Sequence, residues 1–152
     1  MVVAALLYGF GHGPDWTLFA RQPTVIHVHV AAAVTALVVG TVQLIGVKGT
    51  TTHRIIGWTW VAAILTVAIS SLFIRQINSG AFSWIHLFSG WTLIAVPVAL
   101  HAIRRGDVRR HGRTMIWMFI GGLLIAGAFT FVPGRLMWAV FLGQGATGLR
   151  PA

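Results

Sequence analysis

Residues 23–54 read PTVIHVHVAAAVTALVVGTVQLIGVKGTTTHR. From Pro23 to Gly46 no Asp, Glu, Lys or Arg appears. A helix of about 20 residues, rising ~1.5 Å per residue, crosses a hydrocarbon core of ~30 Å, so this stretch predicts a membrane span. It stops at Gly46-Val47-Lys48-Gly49, and apolar sequence resumes after Arg54. Working outward, the chain holds four such stretches, roughly 23–46, 54–75, 82–103 and 112–132. Each carries a histidine at or just beside its start: His29, His53, His86 and His111. An ionisable side chain at membrane depth is costly and marks a functional position by default.

Composition points the same way. Apolar residues make up 57% of the 152 residues and charged residues 9%, whereas a soluble surface needs roughly a quarter charged residues. The formal charge is +9, with Asp15 and Asp107 the only acids. The cations sit in short loops between apolar stretches, so they point to the membrane surface and not to nucleic acid. With no cysteine, disulfides, thiolate metal sites and cysteine nucleophiles are excluded. Two separated aspartates make neither a carboxylate pair nor a hard-cation site. No serine stands with both a histidine and an acid for a triad, and no phosphate-cradling glycine loop is present.

Loops 46–54 and 104–113 carry Lys48, Arg54, Arg104, Arg105, Arg109, Arg110 and Arg113; the other side carries Arg21, Arg75, Arg135 and Arg150. The positive-inside rule puts the basic loops in the cytoplasm and both termini outside. The outer turn Asn78-Ser79-Gly80 is a short connection. Short loops make consecutive helices antiparallel neighbours. The expected fold is all-α, an integral membrane up-down four-helix bundle over 23–132. Residues 1–22 form an interfacial N-terminal segment with Trp16 and Phe19 in the headgroup belt, and 133–152 an interfacial segment and tail with Trp138 near the headgroups. The chain also repeats itself weakly: Lys48-Gly49 with His53-Arg54 and Trp58 matches Arg105-Gly106 with His111, Arg113 and Trp117.

Helical spacing predicts which way the histidines point. From His29 one face reads Ala33, Ala36, Gly40 and Gln43; from His27 the opposite face reads Ala31, Val34, Val38 and Thr41. Small residues and a polar amide suit an interior, so His29 faces inward and His27 the lipid edge. The His53 stripe is Gly57, Val61, Ile64; the His86 stripe is Gly90, Leu93, Pro97; the His111 stripe is Met115, Met118, Gly122, Ala126. Gly57 and Gly90 leave space for a flat ligand one turn from an imidazole. Pro97 should kink the third span. His29 and His86 lie near the outer ends of spans 1 and 3, His53 and His111 at the inner ends of spans 2 and 4. In an up-down bundle both pairs are diagonal. Facing imidazoles are what bis-histidine haem ligation requires, and Arg54 and Arg113 stand ready for haem propionates. His101 is a substitute ligand for the inner site; His12 carries no signal. The plainer reading makes each histidine an interfacial or helix-locking hydrogen-bond partner.

The segments Gly40-Thr-Val-Gln43-Leu, Lys48-Gly49-Thr-Thr-Thr-His53-Arg54-Ile-Ile-Gly57-Trp58, Ile85-His86-Leu-Phe-Ser89 and Ala128-Phe-Thr-Phe-Val-Pro133-Gly134-Arg135 together resemble a bacterial family of predicted membrane proteins, domain of unknown function 2306. The resemblance covers about 24–143 and implies a four-helix inner-membrane protein without supplying an activity. The histidine plan is also similar to that of di-haem transmembrane cytochromes b, which on this analogy makes His29, His86, His53 and His111 the metal ligands. The leading expectation is a small b-type cytochrome-like electron-transfer protein binding one or two haem b groups. Its partners are the lipid bilayer and a quinone or a larger membrane complex. The alternatives are a haem-free structural or assembly subunit and, behind it, a small permease; whether the chain is an enzyme is left open.

The absence of native cysteine makes the orientation testable. A single cysteine at Val108 should react with a membrane-impermeant maleimide only after permeabilisation, and one at Ser79 in intact cells; the reverse labelling would invert the topology.

Overall fold

A computed structural model of the chain describes residues 13–74 and 84–142. The described elements are α1 (Trp16–Ala20), α2 (Thr24–Ile45), α3 (Thr51–Phe73), α4 (Trp84–Arg104), α5 (Val108–Trp117), a π-helical segment (Met118–Ile125), α6 (Ala126–Phe129) and α7 (Leu136–Leu142). Among the described residues, four helical stretches are long and apolar enough to cross a membrane: Thr24–Ile45, Thr51–Phe73, His86–Arg104 and Val108–Phe129. The all-helical, four-span expectation is met. His12, Arg75, the turn Asn78-Ser79-Gly80, and the tail from Gly143 with Arg150 lie outside the described residues.

The chain divides into two compact units, Pro23–Ala126 and the terminal segments Met1–Gln22 with Gly127–Ala152. Within the larger unit, both basic turns are built alike. Gly49 takes φ +80° and Gly106 φ +78°, left-handed values that a side chain disfavours. The next residue then caps a helix: the Thr50 hydroxyl accepts from His53 N at 3.1 Å, and the Asp107 carboxylate accepts from Arg110 N at 2.9 Å. Each cap satisfies an amide that the first turn leaves unpaired. The weak sequence repeat thus marks one local geometry used twice, with His53 three residues beyond one cap and His111 four beyond the other.

Helix α2 packs on α3, α3 on α4, α4 on α5 and the π-helical segment, and that segment returns to α2. This ring leaves α2 diagonal to α4, and α3 diagonal to the fourth helix. The core between them holds Ala36, Trp60, Val61, Ile64, Val96, Ala99, Met118, Phe119 and Leu123. Its tightest point is Gly40, where a Cβ would come within 2.5 Å of Trp60 Nε1 and 2.6 Å of the Phe119 ring. Bare backbone there lets two large aromatics reach the bundle axis, the role small residues play in membrane helix packing.

The fourth span departs from the expected α-helix. Over Met118–Ile125 it is π-helical and contains the pair Gly121-Gly122. Wider turns bring Met118 and Phe119, and then Leu123 five positions after Met118, all into the core. Glycine pairs resist a regular helix, and π segments occur where register must be re-aimed. Pro97 lies on the exposed side of α4, which runs on through it to Arg104.

In the terminal unit, the Asp15 carboxylate caps α1, accepting from Thr17 N and Leu18 N, each at 3.0 Å. A bond from the Thr17 hydroxyl, followed by these amides, holds Asp15 below the usual carboxylate range. That cap is complete above the ordinary carboxylate pKa and is lost as pH falls through the lowered one. Asp15 N donates to the Val140 carbonyl at 2.7 Å, and Trp16 meets Phe141 edge-on at 6.0 Å. Trp138 is 6% exposed, and α1 and α7 pack together in this unit.

Replacing Gly40 by Ala should cost about 1–3 kcal/mol through overpacking. Gly112 has nothing within 4 Å of its would-be Cβ, so Gly112→Ala should be neutral or stabilise by about 0.5–1 kcal/mol through helix propensity. Unfolding of both variants in detergent, followed by helical circular dichroism, separates them.

Candidate functional site

The inward stripes predicted from three histidines are buried or half-buried. On α2, Ala36 and Gly40 are buried and His29, Ala33 and Gln43 half-buried, while Ala31, Val34, Val38 and Thr41 on the His27 side are exposed. On α3 the stripe runs from His53 through Gly57 to buried Val61 and Ile64; on the fourth helix it runs from His111 through Met115 to buried Met118. On α4 the prediction is off by a rotation. Buried positions are His86, Ser89, Thr92, Val96 and Ala99, while Pro97 is exposed. Sequence reasoning followed the small and kinking residues Gly90 and Pro97, and missed a polar stripe at three-residue spacing.

Two polar layers result, separated by the apolar core. At the end away from the basic loops, His29 on α2 meets Ser70 on α3, with Nδ1 2.9 Å from the hydroxyl oxygen. The Ser70 hydroxyl donates to the Thr66 carbonyl at 2.6 Å, so it accepts from His29 and Nδ1 carries the proton. The Nε2 lone pair of His29 is left available. The neighbouring Ser71 hydroxyl pairs with Ser89 on α4, and His86, 8% exposed, lies one turn from Ser89. The serines thus place His29 and His86 at one level. They were absent from the sequence-derived site, although Ser70-Ser71 in an otherwise apolar helix was a visible signal.

At the basic end, His111 Nδ1 donates to the Ala99 carbonyl of α4 at 3.0 Å. A carbonyl only accepts, so this ring too keeps its lone pair on Nε2. His53 lies within electrostatic reach of His111 and Lys48. Its Nδ1 is buried without a hydrogen-bond partner. The start of α3 is fixed by Gln43, whose side-chain amide donates to the His53 carbonyl at 2.8 Å. Gly57 permits this approach, since a Cβ there would stand 2.9 Å from Gln43 Nε2. The space expected for a flat ligand beside Gly57 is therefore taken by Gln43, whereas Gly90 faces open space. Arg54 and Arg113 are exposed beside the inner pair in sequence, and His101 is exposed on α4. Among the described residues no three His, Cys, Asp or Glu converge on a metal-ion position.

The family model described as predicted membrane protein (DUF2306) matches residues 26–148. This chain belongs to that family. No curated protein and no solved structure matches it. The match to DUF2306 spans all four histidines and both capped basic turns, so the two polar layers lie within the part that defines the family.

Because Ser70 is the hydrogen-bond acceptor for His29, Ser70→Ala should destabilise the DUF2306 bundle by about 0.6–1.7 kcal/mol. Ser70→Thr, which keeps the hydroxyl, should recover most of that loss, read in the same detergent unfolding assay.

Proposed function

We propose that this DUF2306 protein is a small b-type cytochrome-like electron-transfer protein of the membrane, holding haem between histidines of diagonal helices. The observation that carries the reading is the basic-end pair. His111 has its tautomer set by the Ala99 carbonyl, and within its electrostatic reach His53 buries a nitrogen with no hydrogen-bond partner among the described residues. A buried polar atom without a partner is costly, and an axial bond to iron is one way to satisfy such a ring. Two imidazoles suffice for haem, since the porphyrin supplies the remaining ligands; a bare metal ion needs more side chains than converge here.

Haem, when bound, supplies a one-electron couple. The chain's own residues do the rest. Ser70 and Ala99 orient imidazoles through Nδ1, as outer partners of metal-bound histidines do. Arg54 and Arg113 offer guanidinium forks for propionates. Trp60, Met118 and Phe119 keep water out between the levels. On this reading His29 and His86 hold the second haem, at the end away from the basic loops. The electron partner is a quinone or a protein of a larger complex, in a bacterial inner membrane with the basic loops cytoplasmic.

A second reading, a haem-free structural or assembly subunit, is favoured by one observation. The Trp60–Gly40–Phe119 contact packs the middle of the bundle tightly, and the His29–Ser70 and His111–Ala99 bonds alone tie neighbouring helices together.

Absorption of the purified protein decides between them. Dithionite should give Soret and alpha bands, which His111→Ala should weaken and His27→Ala leave intact. Colourless, iron-free protein from haem-replete cells would remove the electron-transfer reading.

A further inference from the structure

A groove of about 480 Å³ opens on the outside of the bundle between α3 and α4. Its floor is apolar, formed by Val61 and Leu65 of α3 and Val96 and Leu100 of α4. Its end toward the basic loops is closed by His101 and Arg104. Both of these side chains are exposed, and no hydrogen bond or ion pair holds either among the described residues. No acid lines the groove. Trp58 and Pro97 line it as well.

We propose that this groove binds an anionic phospholipid, with its phosphate held by Arg104 and His101 and an acyl chain lying along Val61, Leu65, Val96 and Leu100. Three features select this occupant. The polarity gradient runs along the helix axis, as it does in a lipid: cationic at the helix end, apolar inside. The length fits, since Val96 lies about 12 Å inside Arg104 at ~1.5 Å per residue, close to one leaflet's half of a ~30 Å core. Charge sets the headgroup class. A guanidinium forks onto phosphate oxygens, and with no carboxylate in the groove lining a net-negative headgroup is preferred over a zwitterionic one. Trp58, 57% exposed, suits the interfacial depth where tryptophan is enriched.

A second groove, lined by Asp107, Arg109, Arg110, Arg113 and Thr114, provides the contrast. It carries three arginines but has no apolar floor, and an acid, Asp107, lines it as well. It draws anionic surfaces in general and holds no acyl chain. The lipid site uses none of the four proposed haem ligands and stands apart from the electron-transfer reading.

Trp58 provides the readout. The protein is reconstituted into phosphatidylcholine vesicles containing a minor fraction of either chain-brominated phosphatidylglycerol or chain-brominated phosphatidylcholine. The Trp58 signal is taken as wild type minus Trp58→Phe. Brominated phosphatidylglycerol should quench it several-fold more than brominated phosphatidylcholine. The double variant His101→Gln/Arg104→Gln should lose that preference, and Arg109→Gln/Arg110→Gln should keep it. Equal quenching by the two lipids in wild type overturns the site, as does a preference that survives His101→Gln/Arg104→Gln or disappears with Arg109→Gln/Arg110→Gln. Should His101→Gln/Arg104→Gln lose its helical circular dichroism, the wild-type comparison alone decides.

Discussion

The bilayer core offers no water to a backbone amide or a buried side chain, and the architecture follows from that. Backbone groups satisfy themselves within helices, so apolar length converts directly into spans. Side chains face the same demand. Ser70, Ser71, Thr92 and Thr114 return hydroxyl protons to carbonyls of their own helices or pair across to a neighbour. The polar groups that link different helices are therefore few, and the histidine layers are among them.

Those layers sit at the two ends of the bundle because the middle is filled. Gly40 admits Trp60 and Phe119 to the axis, and the π-helical turn brings Met118, Phe119 and Leu123 to the same core. An apolar plug between two polar levels opposes a continuous proton path, while electrons can cross such a medium over short gaps. The division between histidine levels is thus a consequence of packing.

Much of the site was legible as periodicity. The faces beginning at His29, His53 and His111 point inward because small residues and a single amide recur at helical spacing. The α4 face was misread because Gly90 and Pro97 suggested a stripe on that side, whereas Ser89 pairs with Ser71 of α3 and Thr92, one turn on, is buried on the same face. Gly57 was misread for a related reason. Its missing side chain makes room for Gln43, and which neighbour fills a gap depends on a helix distant in the chain. The π-helical turn also left no periodic trace, since its glycine pair suits an α-helical membrane interface equally well.

Length, hydropathy and the two glycine-led caps determined the four candidate spans, the two basic turns and the inner faces of three helices, because these rest on local backbone chemistry and on transfer from water. Tertiary structure alone decided the proton position on His29 and His111, the anchoring of His53 by Gln43, and the burial of Trp138. The hydrogen bonds of His29, His111 and Gln43 depend on which atom of another helix arrives within about 3 Å, a distance that no spacing within one helix encodes.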